Sequence, residues 1–263
     1  MTDHATLHAV PRRPHAWAWC ALVLHLAVAV AWWALGWAWG LALLVALHLA
    51  FVWGTLRPGS RLFGPVRCRF PTAGREVWLT IDDGPSDDTP AILDLLDRHG
   101  AKATFFLVGE RAAARPELVR AIAARGHGIG NHSQTHPQAR FWALGPRAMR
   151  REILDGQRTL AGITGQAPRW FRAVVGHANP FVHAPLRDAG LARLAWSARG
   201  YDAVESDPVR VTGRIARALE PGAVVLMHEG APHGRSVEAV ARVLEELDRQ
   251  GFRAVVPPLP EPG

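Results

Sequence analysis

The residues best suited to chemistry stand in two clusters. Thr80-Ile81-Asp82-Asp83-Gly84-Pro85 sets two adjacent carboxylates at the end of an apolar run, Val77, Trp78 and Leu79, and Asn131-His132-Ser133-Gln134-Thr135-His136 follows further along. Asp-Asp-Gly-Pro alone is equally good turn chemistry. Joined to His132 and His136 it becomes a metal-hydrolase set. One helical turn would aim both rings at one point, and a carboxylate would complete a three-ligand site with positions open to water. Zinc in such a site lowers the pKa of bound water to about 7. Its charge also lets Asp82 and Asp83 stay ionised side by side, where repulsion would otherwise raise one pKa. One acid can then ligate while the other serves as base. Arg172, Asp202 and His228 are further candidates, each at or just beyond the end of a strand-like run.

The elements that must position these side chains alternate. The pattern predicts strands at 77–81, 103–108, 126–130, 170–172, 193–196, 223–227 and 252–256, and helices at 89–99, 116–124, 147–162, 183–190, 209–219 and 236–250. Thr89 and Pro90 open the first of these helices and Gly100 closes it. Alternation of this kind argues an α/β fold on a parallel sheet, open or closed as a barrel. In either form the site collects at the carboxyl ends of the strands.

Composition divides the chain. Hydrophobic residues are 49% and charged residues 20%, but no Asp, Glu, Lys or Arg occurs from Pro14 to Leu56. As one helix that stretch would run about 63 Å, roughly twice a ~30 Å hydrocarbon core. Two transmembrane helices at about 16–34 and 38–56 are more economical, broken near Gly36 and Gly40 and flanked there by Trp32, Trp33, Trp37 and Trp39. The apolar length far exceeds the ~7–15 residues of a signal-peptide core; one long signal-anchor is the alternative. The expected organisation is a membrane segment at 1–57, a Pro/Gly-rich linker at 58–74 and a catalytic domain at 75–263 that ends in a Pro-rich run. His25 and His48 within the apolar stretch are expected to be neutral residues of an apolar face. The formal charge of +7 comes from arginine, since Lys102 is the only lysine. No stacking aromatics are interleaved with a basic stripe, which argues against nucleic acid. Cys20 and Cys68 lie in different environments, so no disulfide is expected. Arg12 and Arg13 before the hairpin, and Arg57, Arg61, Arg67 and Arg69 after it, place both flanks in the cytoplasm by the positive-inside rule.

Residues 75–256 resemble the NodB-like polysaccharide deacetylases, carbohydrate esterase family four. Thr80 to Gly84 is similar to that family's first motif, which implies Asp82 as catalytic base and Asp83 as metal ligand. His132 to His136 is similar to the second and implies two metal-binding histidines. The stretch from Trp196 to Asp202 resembles the fourth, whose acid orients the catalytic histidine, and Leu226-Met227-His228 resembles the fifth, with Leu226 lining the acyl pocket and His228 as general acid. Arg172-Ala173-Val174-Val175-Gly176 keeps only the ends of the third motif, where prolines and an aromatic are usual. The resemblance implies that Arg172 pairs with Asp82 and that the backbone N–H of Val175 is the oxyanion donor, with Trp196 beside the acyl pocket. The fold it implies is a distorted (β/α) barrel with fewer than eight regular strands.

The function expected on these grounds is a metal-dependent hydrolase, with Zn2+ as cofactor, that removes an N-acyl group, acetyl first, from an amino sugar. Anchored in the bacterial inner membrane with a cytoplasmic domain, it would act on a lipid-linked sugar; a periplasmic domain would instead face peptidoglycan or exported polysaccharide. No protein partner is expected. The alternatives are a deformylase or other hydrolase of non-peptide C–N bonds, and a non-catalytic glycan-binding relative.

Overall fold

A computed structural model describes residues 7–258; the ends of the expected 1–57 and 75–263 segments, including most of the Pro-rich run, lie outside the described residues. Two apolar helices come first, α1 (Ala16–Leu35) and α2 (Trp37–Leu56). They turn on Gly36, whose φ of 89° suits glycine. Gly40 lets α2 close on α1, because a Cβ there would overlap the Trp32 ring. No residue of α1 is buried, and only Gly40, Gly54 and Thr55 of α2 are.

The rest alternates: β1 (Glu76–Gly84), α3 (Thr89–Arg98), β2 (Ala103–Leu107), α4 (Gly109–Ala114), α5 (Pro116–Ala124), β3 (Gly128–Asn131), α6 (Pro146–Thr164), β4 (Trp170–Phe171), α7 (His183–Asp188), β5 (Ala192–Arg193), β6 (Ala198–Arg199), α8 (Pro208–Ala216), β7 (Val224–His228), α9 (Ser236–Arg249) and β8 (Arg253–Ala254). All strand pairs are parallel, in the order β5-β4-β3-β2-β1-β7-β6 with β8 on the lower end of β1. This is the curled sheet of a distorted (β/α) barrel.

Side-chain alternation along the strands divides the core. Val77, Leu79 and Ile81 of β1 face the outer helices and pack with Ile92, Leu96, Val240 and Leu244. The intervening residues point inward. Trp78 packs with Phe106, Trp170 and Val224 as an aromatic floor, Thr80 donates to the Val225 carbonyl of the neighbouring strand at 2.7 Å, and Asp82 tops the stack. The register sets Asp82 beside Phe106 of β2 and beside His228 of β7.

Three expectations change. In place of the strand expected at 193–196, two short strands flank residues 194–197, β5 ending at Arg193 and β6 beginning at Ala198; between them Leu194 bridges to Arg67 and the Ser197 N–H donates to the Val224 carbonyl. A helix, α4, follows directly on β2. The segment 58–74 lies against the sheet: Phe63, Val66 and Phe70 are buried, Arg69 bridges to Ala223, and Arg193 donates to the Ser60 carbonyl at 2.6 Å. The residues ahead of α1 are docked as well. Leu7 is 2% exposed within the aromatic floor, and His8 bonds the Arg169 carbonyl at 2.8 Å.

Candidate active site

Two adjacent residues of a regular strand point to opposite faces, so Asp82 and Asp83 converge only through an irregularity. The β1–β2 register shifts between Asp82 and Gly84, and Asp83 takes a left-handed φ of 72°. That bulge turns Asp83 toward the same cavity as Asp82. The Asp83 carbonyl accepts a hydrogen bond from Arg111 of α4, and the Gly84–Pro85 peptide that follows is cis.

His132 and His136 meet by a route other than the expected helical turn. They lie on a loop after β3 with left-handed φ at Ser133 (72°) and His136 (54°), and their ring centroids are 5.0 Å apart. Side chains replace helical hydrogen bonds in holding this loop. The Asn131 Oδ1 accepts from the Ser133 N–H at 2.9 Å, and its amide donates to the Ile153 carbonyl of α6 at 2.9 Å. Glu152 of α6 accepts from the N–H groups of Gln134 and Thr135 at 3.1 and 2.9 Å. Gly156 is needed at the closest approach, since a Cβ there would stand 2.9 Å from the Asn131 Oδ1 and 3.0 Å from the Ser133 carbonyl oxygen.

The ligand atoms of Asp83, His132 and His136 lie within 4.8 Å of one another. The Nε2 atoms of His132 and His136 stand 3.3 and 2.9 Å from the Asp83 Oδ1, which is buried with no aligned hydrogen bond among the described residues. His132 Nδ1 is 2.9 Å from the Arg172 carbonyl. A carbonyl only accepts, so that nitrogen carries the proton and Nε2 keeps its lone pair for a ligand. Burial opposes the charge of Asp83, but the two imidazoles outweigh it and hold the carboxyl well below the usual carboxylate range. One carboxylate and two imidazoles turned on one point fit a divalent transition metal, zinc among them.

Asp82, 3% exposed, is bound on its other side. Arg172 Nη1 donates to its Oδ1 and to Thr80 Oγ1, each at 2.7 Å, and Nη2 donates to the Ala195 carbonyl at 3.2 Å. The guanidinium lies 4.2 Å from the centroid of the Phe106 ring. Burial draws the Arg172 pKa down, and Asp82 opposes that.

Across the cavity, the His228 N–H donates to Asp202 Oδ2 at 2.6 Å, and its Nδ1 stands 3.1 Å from Asp202 Oδ1. His233 in turn donates to the Asp202 carbonyl at 2.6 Å. Burial would lower the His228 pKa. The Asp202 carboxylate, with Asp82 and Asp83 beyond it, prevails and raises it to about 9. Arg199 leans on aromatic rings, 3.8 Å from the Tyr201 centroid and 5.6 Å from that of Trp196.

Asp82, Asp83, His132, His136, Arg199 and His228 line one cavity of about 250 Å³, whose walls also include Leu226, Trp196, Val175 and Gly176. Val175 adopts φ 55°, ψ 12° and is 44% exposed. Every residue expected at the site therefore borders the cavity directly or, as Arg172 and Asp202 do, holds one that does.

Glu229, next to His228 in the sequence, is 1% exposed. Its Oε2 accepts from the Ser86 N–H at 3.1 Å, from Ser86 Oγ at 2.7 Å and from the Thr89 hydroxyl, while its own N–H donates to the Asp82 carbonyl at 3.1 Å. Gly84 has no room for a side chain against Glu229. Glu229 thus ties the end of β1 to that of β7. Its signal in the sequence was its place next to His228, but the Ser and Thr that bury it lie on a distant turn.

Residues 70–194 match the family model described as Polysaccharide deacetylase. The chain is 36% identical over 201 residues to a chitooligosaccharide deacetylase of Bradyrhizobium sp. (strain ANU 289), covering 71% of this chain and 90% of that protein. It is 32% identical over 196 residues to a peptidoglycan-N-acetylglucosamine deacetylase of Bacillus cereus, covering 73% and 91%. Among solved structures, the Bc1960 peptidoglycan N-acetylglucosamine deacetylase superposes with a TM-score of 0.67 at 32% identity, covering 72% of this chain and 89% of that one.

Proposed function

The chain belongs to the polysaccharide deacetylase family, and on that footing we propose that it is a membrane-anchored, metal-dependent hydrolase that removes the N-acetyl group from an amino sugar of a glycan or glycolipid. The observation that carries this reading is the convergence of Asp82, the Asp83-His132-His136 set and His228 on one cavity. Asp82, paired with Arg172, takes the proton of the attacking water. Leu226 and Trp196 receive the acyl methyl, the Val175 N–H donates to the developing oxyanion, and His228 hands its proton to the leaving amine as the C–N bond breaks. Acetate and a free amino sugar are the products. Asp83, His132 and His136 would hold a divalent cation, Zn2+ by the ligand set, which would supply Lewis acidity and lower the pKa of a bound water. A glycan-binding protein without turnover would have no use for Asp82 and His228 held so firmly by partners of their own.

Metal removal checks the cofactor. Full-length protein in detergent is expected to release acetate from a chitooligosaccharide, to lose that activity after chelation, and to regain it with Zn2+. Turnover that survives complete chelation contradicts the proposal.

The general-acid role predicts a pH dependence. His228 must be protonated to act, so the rate falls as pH rises through its pKa. Burial lowers that pKa, and with the Asp202 carboxylate gone burial has less to oppose it. A cation on Asp83 draws the alkaline limb down from about 9, and Asp202→Asn is expected to move it further toward low pH. An alkaline limb unchanged in Asp202→Asn contradicts the assignment.

The anchor is proposed from α1 and α2, each of 20 residues with mean hydropathy 2.0 and 1.8 in the best window. Leu7 ahead of α1 and Phe70 after α2 are both buried in the aromatic floor of the barrel, which favours an even number of crossings with both flanks on one face. The arginines of those flanks favour the cytoplasmic face.

A further inference from the structure

The membrane hairpin and the wall of the cavity touch. Thr55, the penultimate residue of α2, accepts at its carbonyl the N–H of Ala178 at 2.9 Å. Pro58, two residues past the end of α2, packs on Gly176: a Cβ on Gly176 would lie 2.6 Å from the Pro58 ring and 2.6 Å from Trp196. Trp17, near the start of α1, meets Phe181 edge to face with centroids 5.5 Å apart. The two ends of the hairpin that emerge from the bilayer therefore both abut the segment 174–182, and residues 175 and 176 of that segment line the cavity. If α1 and α2 span a membrane, the cavity stands at its surface.

The lip of the cavity carries exposed apolar side chains beside the polar Gln138 and Arg199. Val204 is 80% exposed, Tyr201 47% and Val175 44%, and all three line the opening. Exposed valines offer a sugar chain no hydrogen bonds, and they suit an acyl or isoprenoid chain leaving the headgroup region.

We propose that the substrate is an amino sugar carried on a lipid, which enters the cavity from the bilayer surface past the lip formed by Val175, Tyr201 and Val204. This rests on the deacetylase reading above and narrows its substrate class. The hairpin is then more than a tether: α2 and Pro58 form the outer support of the segment that carries the proposed oxyanion donor.

The test uses the full chain reconstituted in phospholipid vesicles, with acetate release measured on two probes at equal acetyl concentration: N-acetylglucosamine on a polyprenyl phosphate in the same vesicles, and soluble chitotetraose. The lipid-borne sugar is expected to turn over with at least tenfold higher kcat/KM, and the advantage is expected to vanish when it is supplied in vesicles separate from those holding the protein. Equal or better turnover of chitotetraose overturns the lipid proposal and leaves the deacetylase reading standing. Turnover of neither probe by metal-loaded protein overturns both.

Discussion

Arg172→Ala is expected to cost about 3–5 kcal/mol of stability, the usual consequence of stripping the partner from a buried charge, and to abolish turnover. Arg172 is fully buried and is the counter-charge of Asp82, so alanine leaves a carboxylate in the barrel without its partner and takes a donor from Thr80 Oγ1 and from the Ala195 carbonyl. At about 2–4 °C per kcal/mol for a domain of this size, the thermal midpoint falls by about 6–20 °C. Arg172→Lys restores the charge but has no planar fork to serve Thr80, Asp82 and Ala195 together and to lie on Phe106, so it recovers only part of the loss. Thermal melts of the purified variants check this, and a wild-type midpoint for Arg172→Ala would contradict the pairing.

Asp82→Asn is expected to lower kcat by about 10²–10⁴, the range for removing a positioned general base. Asparagine keeps the shape and can accept from Arg172, but it cannot take a proton. Because Asp82 is not one of the three atoms grouped for the metal, metal content should stay at the wild-type level. Steady-state acetate release on the metal-loaded variant measures the effect; a rate within a few-fold of wild type would remove Asp82 from its role.

The residues that gather at the candidate site were legible because their signals are local. β1 reads as an apolar run broken by acids, and His132, His136, Arg172, Asp202 and His228 all stand where a strand gives way to a loop. The hairpin was legible because 43 uncharged residues leave few other solutions. What escaped depends on contacts between distant segments. The bulge that turns Asp83 beside Asp82 belongs to the β1–β2 register, and the loop that joins the two histidines is held by Asn131 and Glu152 against α6 rather than by helical spacing. Leu7 enters the aromatic floor across the whole length of the hairpin, and Glu229 is buried by Ser86 and Thr89 from the opposite end of the domain. Composition alone made 58–74 a linker, because Pro and Gly are as frequent in a segment laid along a sheet as in a free one.

The most direct test of metal-dependent deacetylation is metal content and acetate release measured on the same preparations of wild type, Asp82→Asn and His132→Ala. The roles assigned here predict that Asp82→Asn keeps its metal and loses turnover, whereas His132→Ala loses both. Equal residual activity in the two variants, or wild-type turnover by a metal-free His132→Ala, would contradict them.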